Sequence, residues 1–317
     1  MRWRVLSVCW LAALCLPLPA AAQAPQGPAD APYTLRVPVD EIALTFHAGD
    51  ADGNTLTHLT RNDLKLQDNG KQQDRIVMLQ SYEDLPIRVG FLFDISASMY
   101  WSLPYNRSVI RTYAARLLRP KTDRAFVMQF DTETLITQPW TNDPSRIAAG
   151  AAAIPTEDPH TPTHFPFTAI FDSLYKTCRD QWTSDTGEPT GNFILMFTDG
   201  VDDNSHAYLR EAVDMCQRTR TAIYAIVNGH ESGFSQGRRT LTALTEQTGG
   251  RVFFDPHGDD LLKDFTLMEA EQRTQYRLVY KPSNFKADSS FHTVRLRCSV
   301  SGARITARSG YYAFARP

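Results

Sequence analysis

The stretch Leu85-Pro86-Ile87-Arg88-Val89-Gly90-Phe91-Leu92-Phe93-Asp94-Ile95-Ser96-Ala97-Ser98-Met99 decides the fold. Val89 to Phe93 is an unbroken apolar run, the pattern of a strand buried on both faces. It runs directly into Asp94-Ile95-Ser96-Ala97-Ser98, a D-x-S-x-S sequence. Ligand sites of open α/β sheets lie just beyond the carboxyl ends of such strands. Oxygen-bearing side chains placed there are therefore candidates for chemistry.

Outward from this strand the chain alternates. Val109, Ile110, Tyr113, Ala114, Leu117 and Leu118 form a helical stripe stopped by Pro120. Ala125 to Phe130 and Leu135 to Trp140 read as strands, and Asp143-Pro144 as a capped helix start. Ile170, Leu174 and Cys178 share a helical face, as do Leu209, Ala212, Val213 and Cys216. Phe193 to Phe197, Ala222 to Val227 and Val252 to Phe254 are strands. A helix through Leu241 and Leu244 is ended by Gly249-Gly250, and a last one carries Leu261, Leu262, Phe265 and Met268. This alternation predicts an α/β domain over residues 86–273, a doubly wound, mostly parallel, Rossmann-like sheet.

On either side the pattern is β alone. Ile42, Leu44 and Phe46 alternate, Asp52-Gly53 marks a turn, Leu64 and Leu66 lead to a hairpin at Asp68-Asn69-Gly70, and Ile76 to Leu79 follows. Downstream come Tyr276 to Tyr280, Thr293 to Val300 and Ile305 to Arg308. Neither residues 33–85 nor 274–317 carry enough strands to be stable alone. They are expected to pack together as a small β-sandwich into which the α/β domain is inserted.

The amino-terminal residues read as a targeting segment. Arg2 and Arg4 precede an apolar run, Val5 to Leu16, and Ala20-Ala21-Ala22 supplies a small-residue cleavage site. Residues 1–22 are thus expected to be a signal peptide and 23–32 a flexible Ala-Pro-Gly leader, with the product periplasmic or extracellular. No later segment is long and apolar enough for a membrane helix. The 33 basic and 35 acidic residues nearly balance, without a basic block, which argues against nucleic acid as a partner. Three cysteines lie beyond the targeting segment, Cys178, Cys216 and Cys298, at no metal-ligand spacing. Right-handed crossovers place the helices of Cys178 and Cys216 on one face of the sheet. They can form a disulfide or remain two buried thiols.

A second acidic loop follows the strand ending at Phe197: Thr198-Asp199-Gly200. Thr168 opens a helix between the two strands. On these residues the chain resembles the von Willebrand factor type A family and its metal-ion-dependent adhesion site, over about residues 87–272. The positions matching that site are Asp94, Ser96, Ser98, Thr168 and Asp199. A bacterial subgroup of exported proteins is closer still, through LTRNDLKLQDNGKQQ (59–73), TAIFDSL (168–174), FTDGVDDNS (197–205), LTEQTGGRVFF (244–254), QYRLVYKPSN (275–284) and RSGYYAF (308–314). The resemblance implies Mg²⁺ or Mn²⁺, bound directly by hydroxyls and largely through water by the two Asp. A hard cation wants such oxygen donors. It also implies a protein partner whose acidic side chain completes the metal shell. This sequence departs from many relatives in having Pro166-Phe167 before Thr168, where two Gly are common, and Ala97 where Gly is frequent. The Pro should stiffen that loop.

Other motifs carry less. Gly233-Phe234-Ser235-Gln236-Gly237 matches the hydrolase G-x-S-x-G, but no strand leads directly into it, and nothing in the sequence positions His257 or His292 as a partner. His160 and His164 lie in a Pro-rich loop without a third zinc ligand. Asp202 and Asp203 read either as surface charge or as tuning of the metal's field. Asp50, Asp52 and Asn54 hint at a calcium loop, but Arg61 stands where an EF-hand needs Glu, so a turn is expected. No general base or nucleophile accompanies the metal set. A binding module is expected rather than an enzyme; a metal-assisted hydrolase and an architectural envelope protein are the alternatives.

Overall fold

In chain order the elements are β1 (Ile42–Gly49), β2 (Leu64–Asp68), β3 (Lys71–Gln72), β4 (Ile76–Tyr82), β5 (Ile87–Asp94), α1 (Leu103–Leu117), β6 (Arg124–Phe130) and β7 (Thr134–Thr141). There follow α2 (Pro144–Ala152), α3 (Ile170–Gln181), β8 (Gly191–Phe197), α4 (Leu209–Arg218), β9 (Thr221–Val227), α5 (Phe234–Thr248), β10 (Val252–Phe254) and α6 (Asp259–Arg273). The chain closes with β11 (Gln275–Tyr280), β12 (Phe291–Cys298), β13 (Arg304–Ala307) and β14 (Gly310–Tyr312). The structure is a computed structural model that describes residues 41–51, 54–155, 167–182, 189–227, 234–254, 259–283 and 285–313. The expected signal peptide (1–22) and leader (23–32), the Asp52-Gly53 turn, His160, His164, Pro166, Gly233 and His257 lie outside the described residues.

The central sheet has six strands in the order β10-β9-β8-β5-β6-β7. All its neighbours run parallel except β7, which pairs antiparallel with β6 at one edge. From β5 the chain moves one way to β6 and β7, then returns to the far side of β5 as β8. The strand order therefore reverses between β5 and β8, where a crevice opens at the carboxyl ends. Along β5, Val89, Phe91 and Phe93 enter one buried cluster with α1 and α6 residues, and Leu92 enters the other with α3, α4 and α5 residues. Both faces are covered, which is why the run is apolar without alternation. Gly90 is required by packing: a Cβ there would lie 2.4 Å from the Phe126 ring.

The flanking segments form two four-stranded antiparallel sheets, β13-β1-β11-β4 and β14-β12-β2-β3. Each mixes strands from before and after the α/β part, and both contribute to one core containing Leu44, Phe46, Leu66, Leu278, Val294 and Tyr311. The hairpin at Asp68-Asn69-Gly70 forms as expected, with φ of 47° at Asn69 and 75° at Gly70, the left-handed pair that a two-residue hairpin turn demands. Its leading Asp68 is buried and accepts hydrogen bonds from Tyr280 (2.7 Å) and Tyr311 (2.9 Å), with His292 Nδ1 at 2.9 Å. That network joins strands of both sheets inside the core.

Cys178 of α3 and Cys216 of α4 form a disulfide with a Cα separation of 5.0 Å, closing the alternative of two thiols; Cys298 is free. The bridge ties together the helices that precede and follow β8.

Candidate metal site

Asp94 is the last residue of β5 and is buried. Its Oδ1 accepts the N–H of Ser96 at 2.9 Å, which turns the chain sharply into a short 3₁₀ turn, Ala97–Met99. Its Oδ2 accepts the hydroxyl of Thr198 at 2.6 Å. The turn brings Ser96 Oγ and Ser98 Oγ to 3.2 Å from each other. Adjacent ligands on a Mg²⁺ octahedron of 2.0–2.1 Å radius stand about 3 Å apart. The two hydroxyls thus have the spacing of neighbouring ligands on one small cation.

Two further loops close on this one. Ile95 N–H donates to the Phe130 carbonyl at the end of β6 (2.9 Å), and Ala169 N–H donates to the Asp131 carbonyl beside it (2.8 Å). Thr168, buried with 4% exposure, is held between that contact and the loop after β8. There Asp203 Oδ1 accepts Thr168 N–H at 2.7 Å, and the Thr168 carbonyl accepts the N–H groups of Asp203 and Asn204, each at 3.1 Å. Asp199 lies in the same loop, one residue past Thr198, with its Oδ1 accepting Val201 N–H at 3.0 Å. All five residues singled out in the sequence therefore stand at one edge of the sheet, on either side of the strand-order reversal.

Burial raises the Asp94 carboxyl to about 7; the hydrogen bonds from Thr198 and Ser96 oppose the rise, and the nearby charge of Asp199 adds to it. A cation placed beside Asp94 would favour its charged form, because an opposite charge nearby stabilises a carboxylate. Among the described residues no group of three or more His, Cys, Asp and Glu is arranged to hold a metal. The candidate set differs in kind, because three of its five donors are hydroxyls.

Asp202 and Asp203 have a more specific role than surface charge. Asp202 Oδ1 accepts the N–H groups of Ile170 (2.7 Å) and Phe171 (3.3 Å) together with the Ser205 hydroxyl (2.5 Å). It caps α3 from across the crevice, as a local N-cap residue would. Asp172 in turn accepts the N–H groups of His206 (3.1 Å) and Ala207 (2.7 Å). The Thr168 and Asp199 loops are thus laced by reciprocal bonds. Thr198 adds a role that its sequence position alone, between the strand end Phe197 and Asp199, does not reveal. It donates to Asp94 while accepting Gly200 N–H at 3.1 Å.

The G-x-S-x-G motif also gains a packing explanation. Helix α5 begins at Phe234, so Ser235 lies in a helical first turn, several residues past the end of β9. At Gly237 a Cβ would lie 2.2 Å from the Asp199 carbonyl, and at Gly200 (φ 82°) one would lie 2.6 Å from the Gly237 carbonyl. The glycines let α5 approach the backbone of the Asp199 loop. At the segment read as a calcium-loop hint, Asp50 accepts Asn54 N–H at 2.8 Å and its side-chain amide at 3.0 Å.

Aromatic side chains stand exposed on the same loops. Trp101 (75% exposed) follows the D-x-S-x-S turn, Phe167 precedes Thr168, and Tyr208 (64% exposed) follows the Asp199 loop. No described helix is long and apolar enough to cross a membrane.

No family model and no curated protein sequence matches this chain. Among solved structures, BatB from Bacteroides thetaiotaomicron, a conserved hypothetical protein, is similar at 16% identity over 57% of this chain and 96% of that one, with a TM-score of 0.44. Proximal thread matrix protein 1 from the mussel byssus, with a zinc-occupied MIDAS motif, is similar at 14% identity over 64% of this chain and 50% of that one, with a TM-score of 0.48. The VWA domain of SpRpn10 is similar at 13% identity over 57% of this chain and 94% of that one, with a TM-score of 0.37. These are likenesses of outline between divergent chains, and the α/β assignment stands on the strand order and register given above.

Proposed function

We propose that this protein is a von Willebrand factor A-type binding module, exported by a signal peptide at residues 1–22, that holds Mg²⁺ or Mn²⁺ and captures a protein partner through it. Asp94, Ser96, Ser98, Thr168 and Asp199 would hold the metal. The observation that carries the reading is the 3.2 Å pairing of the Ser96 and Ser98 hydroxyls beside the buried Asp94 carboxylate. When bound, the metal supplies a positive centre able to attract a carboxylate. The chain's own groups do the rest. Thr198 holds Asp94 in place, and Asp202 and Asp203 hold Thr168 against the Asp199 loop. The exposed rings of Trp101, Phe167 and Tyr208 offer apolar area at low conformational cost, as interface anchors do. An acidic side chain set among apolar neighbours is the partner feature that fits.

Titration of the purified chain with Mn²⁺, read by calorimetry or electron paramagnetic resonance, tests the metal site. One saturable site lost in Asp94→Ala is expected, and absence of binding in the intact chain ends the proposal. Partner capture should then disappear with EDTA and with Asp94→Ala. Capture indifferent to both would favour the architectural alternative, and ester or phosphate turnover abolished by Asp199→Ala would favour the hydrolase.

A further inference from the structure

A cavity of about 410 Å³ lies at the opposite edge of the central sheet, where the amino end of β9 and the carboxyl ends of α4 and α5 meet β1, β11 and β14 of the sandwich. That volume is in the range of small-molecule sites, about 300–1,000 Å³. Its charged lining is Arg218, Arg220, Arg277, Arg308, Asp214 and Glu271. Both carboxylates are already engaged. Asp214 accepts Arg218 Nε at 2.6 Å. Glu271 accepts the Tyr224 hydroxyl at 2.9 Å and the Thr306 hydroxyl at 3.0 Å, and is paired with Arg251. Arg308 directs its Nη groups to neutral oxygens, of Gln217 (3.0 Å) and Ala43 (2.8 Å).

The helix ends bring partial negative charge, roughly half a unit each. Four guanidinium groups outweigh these and the two carboxylates, so the lining keeps a net positive charge. Arg277 Nε is buried without a hydrogen-bond partner among the described residues, an arrangement that costs free energy unless something fills it. Arg220 stands at the start of β9 with φ of 55°, a left-handed backbone unusual for a non-glycine residue. Rings of Phe46, Tyr311 and Tyr312 line the same space.

We infer that this seam cavity binds a small organic anion, a carboxylate or phosphate head on an apolar body, with the head on Arg277 and Arg220 and the body against the aromatic wall. A guanidinium matches either head through paired N–H donors. The inference is independent of the metal site, which lies at the other end of the strands.

Calorimetric titration of the purified chain with benzoate and with phenyl phosphate tests it, with benzyl alcohol as the uncharged control. Saturable one-site binding of at least one anion is expected, absent for the alcohol. Arg277→Gln should weaken it about tenfold, the loss of one charge-assisted bond, and the exposed Arg220→Gln should weaken it in the same direction should the first variant fold poorly. Asp94→Ala should leave it unchanged. No saturable binding of either anion, equal affinity for the alcohol, or affinity indifferent to both arginine substitutions would overturn the inference.

Discussion

Asp203 holds Thr168 from both sides: its carboxylate accepts the Thr168 N–H at 2.7 Å, and its own N–H donates to the Thr168 carbonyl at 3.1 Å. Pro166 and Phe167 precede this Thr in the sequence. The conformation of Thr168 is set by a bond from the neighbouring loop. Asp203→Ala should therefore weaken Mn²⁺ binding by tenfold or more while costing only about 1 kcal/mol of stability. Calorimetric titration beside urea unfolding checks both. Unchanged metal affinity would show that the clamp is not what positions Thr168.

Thr198→Val should act through Asp94. The substitution keeps the volume but removes the 2.6 Å hydrogen bond to a buried carboxylate. Leaving that acceptor without its donor costs about 1–3 kcal/mol. It should also push the Asp94 carboxyl above its already raised value, so that more of it is protonated at neutral pH and metal binding falls. Urea midpoints and Mn²⁺ titrations at pH 7 measure the two effects, and a fully stable variant with normal metal affinity contradicts this account.

The Cys178–Cys216 bridge closes a segment of sequence separation 38. In the chain-entropy account such a loop contributes about 4 kcal/mol. Cys178→Ala/Cys216→Ala should unfold at clearly lower urea, and it should also loosen the Thr168 and Asp199 loops, which precede the two bridged helices. Hydrogen exchange of the amides at Ile170 and Ala207 reads that loosening. Unaltered exchange there would confine the bridge to global stability.

Stability should fall in acid through Asp123. Burial opposes its ionisation, but hydrogen bonds from Arg273 and from the N–H groups of Ile87 and Arg119 prevail and hold it at about 2. A carboxyl lowered in the folded state stabilises above its unfolded value near 3.8 and loses that contribution as pH falls towards 2. The difference corresponds to about 2 kcal/mol. The stability gap between the intact chain and Asp123→Asn should shrink by about that amount between pH 7 and pH 2. A gap independent of pH would refute the assignment.

The local pattern of the chain determined the architecture. A short unbroken apolar run such as Val89 to Phe93 fits a strand covered on both faces, and the alternation at Ile42, Leu44 and Phe46 fits a half-covered sheet. It also placed Asp94 and Asp199 directly after two such strands, so their shared edge followed from the parallel topology. Tertiary structure decided what holds them there. Thr198 reaches Asp94 across a sequence separation of 104, and Asp203 reaches Thr168 across 35. Contacts of this kind depend on strand order and register, which set three-dimensional neighbours that no periodicity records. The same holds for the arginine-lined seam, whose walls come from segments at both ends of the chain and exist as a cavity only once the sandwich has closed against the α/β sheet.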